Sequence, residues 1–253
     1  MGELILAIET STRFADVALV DAAGVPVARS STTPDEGRPL AELVLACAGD
    51  RWGDVQAYAI GVGPGSFTGL RVGLALLKGV AAARPRPVVP VSSLAAWAQS
   101  LDDADAARAA RERWVVLDAR RSQVWAGHYR VGSDGLVEPV QPDFRAPLSN
   151  VRSVVVRSGS PVVGTATGWV FEADGSGAGA ASRRDTPPPL GGANVRDFAS
   201  AVPSPSAVHL ARLARRAVRE GAVVAVRDVA PNYLMASAAE EKLGIDADRA
   251  SER

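Results

Sequence analysis

Short apolar bursts of changing period run through the first part of the chain. Residues 4–8, 15–20 and 25–31 are rich in Val, Ile, Leu and Ala and have the length of strands, and Asp21-Ala22-Ala23-Gly24 supplies a turn between the last two. From Pro39 to Cys47 the spacing becomes helical. That segment is apolar on nearly every side (Leu40, Leu43, Val44, Leu45, Cys47), with Glu42 almost its only charge. A strand-like run at 55–62 follows, then a glycine loop, a second apolar helix and a short strand near 88–91. Further on, WVVLD (114–118) and QVWAGHYRV (123–131) read as strands. A helix from Pro205 to Glu220, with Val208, Leu210, Leu213, Ala214 and Val218, precedes a strand-like run at 222–226.

The loop Gly63-Pro64-Gly65-Ser66-Phe67-Thr68-Gly69 combines glycines free to take positive φ with hydroxyls able to cap a helix. It misses the phosphate-binding fingerprints: it ends Thr68-Gly69-Leu70 in place of Gly-Lys-Ser/Thr, and Thr68 occupies the third glycine of GxGxxG. It also misses G-x-S-x-G, because Pro64 and Thr68 flank Gly65-Ser66-Phe67, so no serine nucleophile is expected. On a helical wheel Gly69, Gly73, Leu76, Val80 and Ala83 share one stripe, and Leu70, Leu74, Leu77 and Ala81 share the next. Arg71 and Lys78 mark the polar edge. A sheet covers one stripe, so the other predicts a second helix or a second protein as its cover.

Three strands, helix, strand, helix, strand is the order of a ribonuclease-H-like fold. The pattern starts again at Trp114, where Asp118 ends a strand as Glu9 does earlier, predicting two such lobes, the architecture of the α/β actin/hexokinase/Hsp70 (ASKHA) superfamily. The expected division is an N-terminal lobe over 1–102, a C-terminal lobe over 103–227, and a segment 228–253 that packs back on the first lobe. The stretch at 101–105 and an Ala/Arg-rich helix at 106–113 form the join. Residues 173–192, dense in Gly, Ser, Ala and Pro, read as a flexible insertion.

Charge narrows the function. Lys plus Arg and Asp plus Glu both number 28, so nothing points to an electrostatic grip on nucleic acid. Cys47 is the single cysteine, which removes an internal disulfide and a multi-cysteine metal site. His128 and His209 lie far apart in sequence, and no metal site is expected. MGELILAIE carries no signal-peptide pattern and no run is long enough to span a membrane, so a cytoplasmic protein is expected.

The segment GVGPGSFTGLRVGLALLKG (61–79) resembles the signature of the bacterial TsaB (YeaZ) family. ILAIETSTRFADVALV, VVPVSSLAAWA, VVLDARRSQVWAGHY, VVGTATGW and VRDVAPNYL extend the resemblance over most of 1–235. The resemblance implies a non-catalytic partner of the TsaD transferase, which forms N6-threonylcarbamoyladenosine at position 37 of tRNAs reading ANN codons, with the TsaE ATPase joining the pair. ATP and metal would sit on the partner subunits, tRNA would be met only indirectly, and a homodimer could use the same surface. It places the partner interface on the first two helices: Leu40, Leu43, Val44, Cys47, Gly69, Gly73, Leu76, Leu77 and Val80. In superfamily members that handle ATP, the first turn reads Asp-x-Gly-Thr/Ser. Here Glu9-Thr10-Ser11 stands in that place, so Glu9, Thr10, Ser11, Gly63, Gly65, Ser66 and Asp118 make at most a weak nucleotide or anion site. The alternative is a stand-alone ATP-dependent enzyme using Glu9 and Asp118. Arg38-Pro39 replaces the family's usual His-Ser, and Met235 stands where Arg commonly follows Tyr-Leu. On this reading Gly73→Arg or Leu76→Asp abolishes pairing and leaves the monomer folded.

Overall fold

A computed structural model describes residues 3–103, 110–166 and 206–234. The first sheet is built from β1 (Leu4–Glu9), β2 (Ala15–Val20), β3 (Pro26–Thr32), β4 (Val55–Gly61) and β5 (Val88–Val91) in the order β3-β2-β1-β4-β5. β2 runs antiparallel to both β1 and β3, while β4 lies parallel to β1 and β5. The crossovers that parallel pairing requires are α1 (Leu40–Ala48) between β3 and β4, and α2 (Phe67–Ala83) between β4 and β5.

The pleat sorts this sheet's residues by size. Leu4, Leu6, Ile8, Val17 and Leu19 face α1 and α2, packing with Leu43, Val44, Cys47, Leu74 and Leu77. The opposite face is lined largely by alanines, Ala7, Ala18, Ala57 and Ala59. Small side chains let a helix approach closely, and α5 (Ala207–Arg219) lies there through Ala207, Leu210, Ala211 and Ala214. Asp16, buried on β2, accepts from Ala207 N at 2.7 Å and pairs with Arg29 Nε at 2.9 Å. An acid at a helix N-terminus also complements the helix dipole.

The second sheet repeats the plan. It contains β6 (Glu112–Asp118), β7 (Gln123–Val131), β8 (Val137–Pro139), β9 (Phe144–Pro147) and β10 (Val162–Val163) in the order β10-β6-β7-β8, with β9 paired to the other half of β7. β6 and β7 are antiparallel and β10 is parallel to β6, as β1, β2 and β4 are in the first sheet. α4 (Leu148–Ser158) covers one face through Val151 and Val155, against Trp114, Val116 and Val124. The other face, with Val115, Leu117, Tyr129 and Val137, meets α5 and α3 (Ser93–Ser100). The molecule is thus layered: α1 and α2, first sheet, α3 and α5, second sheet, α4. These paired sheets are the ASKHA fold expected from the element order.

Arg113 ties the middle together. Fully buried on β6, it donates to Ala98 O at 2.9 Å and to Asp102 Oδ1 at 2.6 Å at the end of α3. α5, although it follows the second sheet in sequence, covers the first. The segment after it stays there: Val229 enters the α1/α2 core and Asn232 N donates to Val62 O at 2.7 Å.

Some expected elements differ. The run at 222–226 makes a single bridge, Val88 to Val224, before a 3-10 turn at Val226–Asp228. The next hydrogen-bonded position on β5 is Pro90, which has no N–H to extend the ladder. The helix expected over 106–113 does not reach its end, since β6 starts at Glu112; residues 104–109 lie outside the described residues, as do the insertion at 173–192 and the tail from 235.

Candidate functional site

The sequence-predicted residues fall at the turn after β1, on α1 and α2, and, for Asp118, at the end of β6. Glu9 ends β1 with its carboxylate enclosed. Ser11 N donates to Oε1 at 2.5 Å and Ser93 Oγ donates to Oε2 at 3.1 Å. Burial pushes the Glu9 carboxyl above the ordinary carboxylate range, against hydrogen bonds from Ser11 and Ser93 that pull it down.

The glycine loop closes on this turn. Ser66 N donates to Ser11 O at 2.6 Å, and Ser66 Oγ caps α2 by accepting from Gly69 N at 3.2 Å. Gly63, at φ +99°, exchanges hydrogen bonds with Ser93: its N–H donates to Ser93 Oγ at 3.2 Å and its carbonyl accepts from Ser93 N at 2.9 Å. A Cβ at Gly65 would overlap Ser11, and Cβ atoms at Gly69 and Gly73 would overlap Thr10. Thr10 therefore occupies the glycine notch of α2, at Gly69 and Gly73, which the family resemblance placed in the partner interface. Thr10 Oγ1 and Ser11 Oγ are buried with no hydrogen-bond partner among the described residues. The crevice beneath the loop is lined by Ile60, Gly61, Val62, Leu70, Leu74 and Pro231 and is too shallow to enclose a water molecule.

Glu9, Thr10, Ser11, Gly63, Gly65 and Ser66 thus share one network. Asp118 belongs to another. Its Oδ1 accepts from Arg120 N at 2.6 Å, and its own N–H donates to Thr165 Oγ1 at 3.0 Å. The turn it opens holds Arg120, Arg121 and Ser122 all at positive φ (65°, 51° and 57°), a conformation costing roughly 1–2 kcal/mol per residue.

Sequence reading missed the network on the far side of α3. Ser92 Oγ donates to Asp143 Oδ2 at 2.5 Å, caps α3 by accepting from Leu94 N and Ala95 N, and lies beside Tyr129 OH, which also donates to Asp143. Burial raises the Asp143 carboxyl above its ordinary value and the Tyr129 hydroxyl well above its own. The Ser92-Ser93 pair was visible as a helix cap in VVPVSSLAAWA; Asp143, in a loop, gave no signal.

The histidines serve the fold. His128 stacks on Trp114 with ring centroids 4.3 Å apart, and His209 Nδ1 lies 2.8 Å from Ser206 Oγ in the N-terminal cap of α5. No group of three or more His, Cys, Asp and Glu suited to a metal occurs among the described residues, and none of their helices is long and apolar enough to cross a membrane.

On the helical face the expected interface divides. Leu43, Val44, Cys47, Gly73 and Leu77 are buried within the lobe, where a partner docked on the surface does not reach them. Cys47 Sγ donates to Val17 O at 3.3 Å, and burial pushes its thiol up to about 11. Leu40, Gly69, Leu76 and Val80 are half-buried. The outward apolar residues are ones the expected interface left out: Leu45 is 60% exposed, Val72 51% and Phe67 43%. A helix apolar all round gives no pattern to say which stripe meets the sheet.

Comparison with known proteins agrees with this architecture. The family model for TsaD, tRNA N6-adenosine threonylcarbamoyltransferase, matches residues 36–244. The Escherichia coli K12 tRNA threonylcarbamoyladenosine biosynthesis protein TsaB is 29% identical over 94% of this chain and 97% of its own. Its Haemophilus influenzae namesake is 33% identical over 55% of this chain and 57% of its own. The structure of YeaZ from Pseudomonas aeruginosa superposes with a TM-score of 0.70 at 24% identity, covering 91% of this chain and 99% of that one. The chain belongs to the family of TsaD, tRNA N6-adenosine threonylcarbamoyltransferase, as one of its TsaB/YeaZ members.

Proposed function

We propose that this chain is a non-catalytic subunit in the biosynthesis of tRNA threonylcarbamoyladenosine, pairing with a TsaD paralogue through the outer faces of α1 and α2. The observation that carries the reading is the exposure of Leu45, Val72 and Phe67 on two helices whose inner sides already fill the core. Apolar surface of that kind marks an interaction site. The closed Glu9 turn supports a subunit that holds no nucleotide of its own, with ATP and metal on its partners. TsaE is the third member of the assembly, and tRNA at adenosine 37 is reached through TsaD. A homodimer is the competing occupant of the same face.

Reconstitution tests this. The TsaD paralogue from the same organism, supplied with TsaE, ATP, threonylcarbamoyl donor and tRNA, should modify tRNA only when this chain is added. Glu9→Gln and Asp118→Asn should keep the rate within about threefold. Loss of modification in either folded variant would support the stand-alone enzyme reading instead.

A further inference from the structure

α2 carries no acidic residue; its only charges are Arg71 and Lys78, both exposed. Arg71 is held in place: its guanidinium carbon lies 3.7 Å from the centre of the Phe67 ring, and its Nε donates to Tyr233 OH at 3.1 Å. Phe67 and Tyr233 sit with ring centroids 5.2 Å apart. This bond occupies Nε, and the two terminal nitrogens have no acceptor among the described residues. A guanidinium fixed by stacking presents a planar fork whose ordering cost is met before a ligand arrives. Lys78, two helical turns on, lies about 10.5 Å away along the axis. Val72 and Ala75 are the exposed apolar residues between them.

We infer that the α2 face receives a helix bearing carboxylates about two turns apart, with Arg71 as the anchor and Lys78 as the second contact. The inference rests on the proposal that this face is the partner surface, and it adds the partner's chemistry. The charge pattern also bears on the competing occupant. A second copy docked α2 against α2 sets the same cations against each other, whereas an acidic helix neutralises them. The Tyr233 contact makes the segment after α5 part of the same face.

The test measures binding of the full chain to the TsaD paralogue at 0.1 M and 1 M salt. Arg71→Glu should weaken binding at least about tenfold at the lower salt, and Lys78→Glu about threefold. Both losses should shrink at the higher salt, where the screening length falls from about 10 Å to about 3 Å. Lys78→Glu covers the case in which Arg71→Glu displaces Tyr233. Val72→Asp should abolish binding at either salt. If it does while both charge variants bind within twofold of wild type, the acidic-helix inference fails and the partner face stands. If Val72→Asp also binds normally, the partner face itself is wrong. A wild-type homodimer tighter than the mixed complex would overturn the inference as well.

Discussion

Glu9 ends β1 with its carboxylate turned to Ser11 N and Ser93 Oγ, which donate to it. The exchange of glycine for Ser11 was readable in the sequence as a less open turn, and in the structure Ser66 N donates to Ser11 O there. That Thr10 would fill the notch at Gly69 and Gly73 was not readable, because a glycine is equally open to its own chain and to a foreign one. Burial has a consequence for pH. The folded state raises the Glu9 and Asp143 carboxyls and so holds their protons more tightly than the unfolded chain does. Their stabilisation is fully present below the ordinary carboxylate values and is lost as pH rises through the raised ones. Denaturant unfolding should therefore show Glu9→Gln losing less stability than wild type between pH 4.5 and pH 7. Parallel losses would contradict the burial argument.

At the scale of the element, α2 is where pattern and packing part company. Its two stripes were legible, but which one met the sheet was fixed by the crossover geometry and by Thr10, neither of which periodicity encodes. The glycines consequently differ in role. Gly69→Ala should destabilise the monomer by about 1–3 kcal/mol through overlap with the Thr10 carbonyl. Gly79 is exposed with nothing near its missing Cβ, so Gly79→Ala should stabilise by about 0.5–1 kcal/mol through helix propensity. Thermal unfolding of the two variants checks the pair, and shifts of the same sign would contradict the notch. Gly73→Arg, expected from sequence to break pairing alone, now strikes the interior, and Val72→Asp replaces it as the interface probe. α3 escaped sequence reading because it is short and buried on nearly every side, and α4 because its Val154-Val155-Val156 run favours a strand.

The whole molecule is two sheets sharing a middle layer of helices, and the order of its elements announced the repeat before any coordinates did. The exchange of cover across that layer was not announced: α3 packs on the second sheet and α5 on the first. Arg113 holds the layer from inside, so Arg113→Leu should cost about 1–3 kcal/mol in urea unfolding by leaving Ala98 O and Asp102 at the end of α3 without this donor. A cost below about 1 kcal/mol would show the bond to be dispensable. With the middle closed and both inner faces filled, the proposed partner surface is the outer side of α1 and α2. The most direct measurement is the mass, by size exclusion with light scattering, of this chain mixed with the TsaD paralogue from its own organism. The account predicts a mixed complex for wild type and separate peaks for a folded Val72→Asp. Separate peaks for wild type, with TsaE and ATP present, would contradict it.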